Sequence, residues 1–217
     1  MARRFQDRAE AGKRLAAQLQ EHAGRDDVIV LALPRGGVPV AFEVARALRA
    51  PLDVFVVRKL GMPGHEEYAI GALASGGVRL INDHAVALHG LSQRDIDRIT
   101  AAEQSELERR ERSYRGERPF PDLRGKTVIL VDDGLATGST MRAGVQALRI
   151  EGPSRIIVAV PVSAADTCHA FRDIADDVVC VMTPEPFYAV GLWYEDFSQT
   201  TDEEVHDLLG RARERAA

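Results

Sequence analysis

Two carboxylates, Asp132 and Asp133, stand side by side ahead of Gly134 and the run Thr137-Gly138-Ser139-Thr140. An ionised carboxylate accepts hydrogen bonds and donates none. A pair of them suits a ligand that offers neighbouring hydroxyls, and acidic groups also stabilise positive charge that develops on a sugar ring. The residues that follow have the opposite character. The hydroxyls of Thr137, Ser139 and Thr140 are donors, and Gly138 lets the backbone approach a ligand closely. A helix that opens here presents free N–H groups and the positive end of its dipole, which suits a phosphate. Vicinal hydroxyls next to a phosphate are the pattern of a ribose 5-phosphate.

Three other clusters could do chemistry. Pro34-Arg35-Gly36-Gly37 has two glycines that permit unusual backbone angles, and successive N–H groups there can form an anion-binding nest. Arg58-Lys59, ahead of Gly61 and Gly64, could clamp a polyanion; a surface basic pair is the alternative. His65, Glu66 and Glu67 follow as weaker candidates in the same segment. Pro184 to Phe197 holds five aromatics. Phe187 and Trp193 among them could stack on a flat heterocycle, with core packing or a dimer interface as equal alternatives.

The elements that must position these clusters are legible as short apolar runs. They cover 28–33, Leu52 to Val57, Thr127 to Val131, Arg155 to Val160 and Asp177 to Val181. They are β-branched and apolar on both faces, as strands of a parallel sheet covered by helices are. Helical spacing covers 4–22, with Phe5, Ala9, Leu15 and Leu19 on one side, then the stretch up to Leu48, and Asp202 to Arg213. The alternation predicts an α/β fold in which ligands bind at the carboxyl ends of the strands. Two regions break it. Residues 60–82 are Gly-rich, with a hairpin around Gly76-Gly77; residues 92–118 mix charges of both signs behind Ser92 as an N-cap and read as a long exposed helix.

The run Val128 to Thr140, VILVDDGLATGST, resembles the signature of the type I phosphoribosyltransferases. The resemblance implies that Asp132 and Asp133 hold the ribose hydroxyls of 5-phosphoribosyl 1-pyrophosphate (PRPP). Ala136, Thr137, Gly138, Ser139 and Thr140 then hold its 5-phosphate. It assigns Arg35, Gly36 and Gly37 to pyrophosphate, in a loop that often contains a strained peptide bond. RKLGMPGHEE looks like the mobile basic loop of adenine and orotate phosphoribosyltransferases, so Arg58 and Lys59 join pyrophosphate binding and, with the acid pair, catalysis. The aromatic stretch loosely resembles the C-terminal hood of hypoxanthine-type enzymes. The implied cofactor is Mg²⁺, held through PRPP rather than by protein ligands, and the implied assembly is a homodimer. Ala136 replaces the carboxylate of hypoxanthine-type enzymes, and Pro161-Val162-Ser163 lacks their lysine, so a 6-oxopurine acceptor is disfavoured.

The implied activity moves the phosphoribosyl group to a nucleobase or related nitrogen heterocycle and releases pyrophosphate. A PRPP-binding sensor without transferase activity is the alternative. The expected architecture is one domain over 1–217: a Rossmann-like, mostly parallel central sheet with flanking helices (core about 27–181), a small hood or flap, an inserted charged helix at about 92–118, and a C-terminal hood and helix at about 182–215.

Bulk properties narrow the rest. The chain of 217 residues, 45% hydrophobic, suffices for one buried core. A net charge of -5 disfavours nucleic acid as a partner. Neither GxxxxGK[ST] nor GxGxxG occurs. Cys168 and Cys180 have no metal spacing and read as two buried small hydrophobes in a reducing cytoplasm. No apolar h-region follows Met1, and no apolar run approaches the ~20 residues that span a bilayer, so a cytoplasmic protein without a membrane partner is expected.

Overall fold

A computed structural model describes residues 3–62 and 65–215, with the backbone alone at 65–68. In chain order the elements are α1 (Arg8–Gln18), β1 (Val28–Ala32), α2 (Gly37–Leu48), β2 (Leu52–Val54), β3 (Val57–Met62), β4 (His65–Ala74), β5 (Val78–Ile81), α3 (Asp83–Leu88), α4 (Gln93–Arg115), β6 (Thr127–Val131), α5 (Ser139–Ile150), β7 (Arg155–Val162), α6 (Ala165–Phe171), β8 (Asp177–Met182) and α7 (Asp202–Glu214). Gly64 and the side chains of His65, Glu66 and Glu67 lie outside the described residues.

Five strands form a parallel sheet in the order β2-β1-β6-β7-β8. Side chains alternate between its faces with period two. Val28, Val30, Ile129, Val131 and Ile157 enter one buried cluster with residues of α1, α2 and α7. Ile29, Leu31, Val128, Leu130 and Ile156 enter a second with residues of α5 and α6. Burying each such side chain contributes about 1.5–3 kcal/mol, so both faces must be covered, and the continuous apolar runs follow from that.

From β1 the chain moves outward to β2; β6 then pairs on the other side of β1, and β7 and β8 continue away from it. The order therefore reverses between β1 and β6, whose ends lie in register at Ala32 and Val131. In an open parallel sheet this switch point is where a ligand crevice opens.

A second, antiparallel sheet has the order β3-β4-β5. Its β4–β5 turn uses Gly76 (φ 86°) and Gly77 (φ 80°), which bears out the hairpin expected there. It also corrects the position of Arg58 and Lys59. The run from Leu52 to Val57 is not one strand. Phe55 N–H still donates to Ala32 in the main sheet, but Val56 is held by Ser75, whose Oγ accepts from its N–H at 3.0 Å and whose own N–H donates to its carbonyl at 2.9 Å. The chain thus passes from one sheet to the other, and Arg58 and Lys59 lie inside β3 rather than in a loop.

Ser92 caps α4 in a reciprocal capping box with Asp95. The helix is not wholly exposed: Ile96, Leu107, Tyr114 and Arg115 are buried. The N-terminal helix begins at Arg8, capped by Asp7, and its last turn is a separate 3-10 helix at Gln20–His22. The reading of the cysteines as two separate hydrophobes is corrected. Packing of α6 on β8 brings Cys168 and Cys180 into a disulfide with Cα atoms 6.7 Å apart. That pairing removes the ground on which cysteine usage pointed to a reducing compartment. Among the described residues no helix is long and apolar enough to cross a membrane.

Candidate active site

The carboxyl ends of β1 and β6 bring two of the expected loops into direct contact. A Cβ on Gly36 would lie 2.1 Å from Asp133 Oδ2, and one on Gly37 would lie 2.8 Å from the Val131 carbonyl oxygen. Only glycine fits at either position while the acid pair stays where it is. The Pro34–Arg35 peptide just before them is cis. Arg35 itself reaches α7, with Nη1 3.9 Å from Asp202 Oδ1. The same Asp202 oxygen accepts from the Tyr114 hydroxyl at 2.6 Å. Burial, and then this hydrogen bond, push the Tyr114 phenol up to about 12.

Asp133 N–H donates to Asp132 Oδ1 at 2.9 Å. Burial pushes the Asp132 carboxyl well above the usual carboxylate range, and the Asp133 charge beside it adds to the shift. Burial also raises Asp133, against the Arg8 guanidinium, whose Nε donates to Asp133 Oδ2 at 2.9 Å. The Tyr194 hydroxyl donates to the Asp133 backbone carbonyl at 2.6 Å. Its own phenol is driven up by burial first and the Asp133 charge second.

Beyond the acids, Gly138 stands at the N-cap of α5 in the left-handed region, at φ 70°. α5 then opens with Ser139 and Thr140, whose N–H groups lie in the first turn, where no intrahelical acceptor is available. Asp132, residues 134–141 and Val190 line a cavity of about 200 Å³. α6 supports the turn from beneath: Thr167 Oγ1 donates to the Ala136 carbonyl at 3.0 Å, and Phe171 packs against Gly138.

The substitution Gly138→Ala tests this support. A Cβ there would lie 2.6 Å from Phe171 Cε2 at a φ that L-residues avoid. The conformational part alone costs roughly 1–2 kcal/mol, a fall of about 2–8 °C in Tm. Thermal denaturation should show at least that loss. An unchanged Tm would mean that the turn is not held as described.

The other expected residues are placed elsewhere. Arg58 pairs with Glu103 of α4 at 2.6 Å. With Lys59 and Arg98 it lines a different cavity, of about 480 Å³, which shares no lining residue with the one at Asp132. Phe187 and Trp193 pack with Phe5, Tyr194 and Val190 in a small cluster where the N-terminal and C-terminal segments meet. Of these hood residues, Val190 lines the Asp132 cavity. Arg8 and Thr167 are at the site without having been singled out by sequence. Neither carries a motif: Arg8 lies 125 positions from Asp133, and Thr167 is one hydroxyl in a short helix.

An acid pair and the open start of a helix thus stand side by side at the switch point of a parallel sheet in an α/β fold. The chain belongs to the phosphoribosyl transferase domain family, whose model matches residues 3–191. It is 46% identical over 208 residues to proteins of two Mycobacterium tuberculosis strains that carry a provisional phosphoribosyl transferase name. The match covers 96% of this chain and 47% of theirs, so the chain spans about half the length of those relatives. It is also similar to the crystal structure of TT1426 from Thermus thermophilus, at 42% identity and a TM-score of 0.84, over 95% of this chain and 97% of that one. AQ2163 from Aquifex aeolicus shares the fold alone, at 10% identity and a TM-score of 0.51, over 93% and 84% of the two chains.

Proposed function

We propose that the chain transfers the phosphoribosyl group of PRPP to a nitrogen of a nucleobase or related heterocycle and releases pyrophosphate. One observation carries this reading: Gly36-Gly37 and Asp132-Asp133 meet at the switch point beside the cavity of residues 134–141. In this reading the amides and hydroxyls of residues 136–140 hold the 5-phosphate. Asp132 and Asp133 accept from the ribose hydroxyls. Arg35 and the backbone of Gly36 and Gly37 meet pyrophosphate. The C1–O bond to pyrophosphate breaks as the C1–N bond forms, and the nitrogen's proton leaves to solvent. Positioning, and acidic groups beside an oxocarbenium-like sugar, supply most of the acceleration.

The donor set fits Mg²⁺, which prefers oxygen ligands and keeps several waters. Two adjacent carboxylates are hard donors but do not enclose an ion, and no group of three or more His, Cys, Asp or Glu able to hold a metal occurs among the described residues. Asp132 and Asp133 would contact the ion only alongside PRPP oxygens and water. When bound, it neutralises the departing pyrophosphate. Ala136 and Pro161-Val162-Ser163 favour an acceptor other than a 6-oxopurine.

A specific observation supports a second reading, a PRPP sensor. Arg58, expected at the leaving group, is tied to Glu103 beside a different cavity. A protein that only binds PRPP has no need of it at the site. Pyrophosphate release, measured with Mg²⁺ and PRPP across a panel of bases, separates the two. Release with one base supports transfer; tight PRPP binding without release from any base supports the sensor. Absence of PRPP binding removes both.

A further inference from the structure

We propose that Arg8 is a positioning residue that presents the acid pair to the sugar with one free oxygen on each aspartate. This rests on the assignment of Asp132 and Asp133 to the ribose hydroxyls. Each carboxylate has two oxygens, and one of each is already engaged. Asp132 Oδ1 accepts from Asp133 N–H at 2.9 Å. Asp133 Oδ2 accepts from Arg8 Nε at 2.9 Å. Asp132 Oδ2 and Asp133 Oδ1 are left, two acceptors for two vicinal hydroxyls.

Arg8 is itself fixed on every side. It is the first residue of α1, behind the Asp7 cap. Its Nη1 donates to the Ser198 carbonyl at 2.7 Å, and its guanidinium carbon lies 4.0 Å from the centre of the Phe197 ring. Its side chain is 12% exposed and that of Asp133 16%. A Cβ on Gly36 would lie 2.1 Å from the same Asp133 oxygen, so the glycine backbone also stands close against it. Asp133 Oδ2 is therefore wedged between a cation and a backbone, and rotation of its carboxylate would break a charge-assisted hydrogen bond. Without Arg8, no cation among the described residues pairs with the Asp133 carboxylate to set its rotamer. Segments from both ends of the chain build this clamp: Phe5 bridges Tyr194, and Tyr194 holds the Asp133 backbone.

Calorimetry on the full chain, with Mg²⁺ and PRPP and separately with inorganic phosphate, tests the inference. Arg8→Met should weaken PRPP about tenfold, the scale of one charge-assisted hydrogen bond, and leave phosphate affinity within twofold. Arg8→Lys should recover part of the loss, because an ammonium restores the charge without the fixed fork. In an Asp133→Asn background, Arg8→Met should add less than twofold, since the oxygen it positions no longer carries the charge. An equal loss for phosphate would overturn the inference in favour of general disruption. A full tenfold loss in the Asp133→Asn background would overturn it in favour of direct contact between Arg8 and the ligand. If Arg8→Met does not fold, the Lys variant in the two backgrounds gives the same comparison. A wild-type chain that binds no PRPP would instead remove the site assignment itself, and this inference with it.

Discussion

Asp132→Asn combined with Asp133→Asn should abolish PRPP-dependent pyrophosphate release and leave the fold as stable as before, or more so. Hydrogen bonds to charged groups contribute about 1.5–3 kcal/mol each, so losing two of them costs roughly 10²–10⁴-fold in turnover. Asparagine keeps the shape of each side chain and one oxygen. At Asp132 that oxygen can keep the bond from residue 133 N–H, and at Asp133 it can keep the bond from Arg8 Nε. The amide NH₂ then falls where the sugar needs an acceptor. Stability moves the other way because burial raises both carboxyls above their unfolded values. A raised carboxyl contributes stability that is fully present below its unfolded value, near 3.9, and is lost as pH rises through the folded value. Above those folded values the ionised pair is thus a net cost that asparagine does not carry. Denaturation at pH 5 and pH 8 should show the wild type losing stability between them relative to the double variant. Undiminished pyrophosphate release in the double variant would remove these acids from the mechanism. A large stability loss would instead make them structural.

The divergence between function and stability at these two residues explains what sequence could and could not supply. The central strands β1, β6 and β7 were readable because a strand buried on both faces must be apolar throughout. The site's two loops were readable because glycine and adjacent acids are rare where nothing demands them. Gly36 is demanded by the Asp133 carboxylate and Gly37 by the backbone at Val131 and Asp132, which leave no room for a Cβ. Tertiary geometry carried the remainder. Arg58-Lys59 looks the same in a loop or in β3; Ser75 decides, by catching Val56 and turning the chain into the second sheet. Cys168 and Cys180 each sit in a locally ordinary stretch, and only the packing of α6 on β8 joins them. Arg8 is one of several charges near the N-terminus, and its partner is 125 residues away. Periodicity reports burial and local turns report glycine. Neither reports which distant charge meets which.

Arg115 is the clearest case of such a meeting, and Arg115→Met should destabilise the protein by about 3–5 kcal/mol, the cost of breaking a buried ion pair from one side. Its side chain is 4% exposed. Nε donates to both oxygens of Asp53 at 3.1 and 3.2 Å, Nη1 to Glu111 at 3.0 Å, and Nη2 to the Val54 carbonyl at 2.8 Å. Phe120 stacks 5.0 Å from the guanidinium. Methionine matches the stem and the contact with Phe120, so the loss would come from two stranded carboxylates and an unpaired carbonyl rather than from a void. Two companion variants separate these terms. Arg115→Lys should fall between wild type and Met, because one ammonium cannot span all three acceptors. Adding Asp53→Asn and Glu111→Gln to Arg115→Met should recover much of the stability, because the uncompensated charges go. The effect should also reach the site. Tyr114, one residue earlier, donates to Asp202, and Asp202 faces Arg35 on the loop assigned to pyrophosphate. A loosened end of α4 would free Asp202 and weaken pyrophosphate binding even at temperatures where the Met variant is folded. A denaturant midpoint equal to the wild type's would show that α4 is not anchored through Arg115, and the connection from Tyr114 to Arg35 would lose its fixed end.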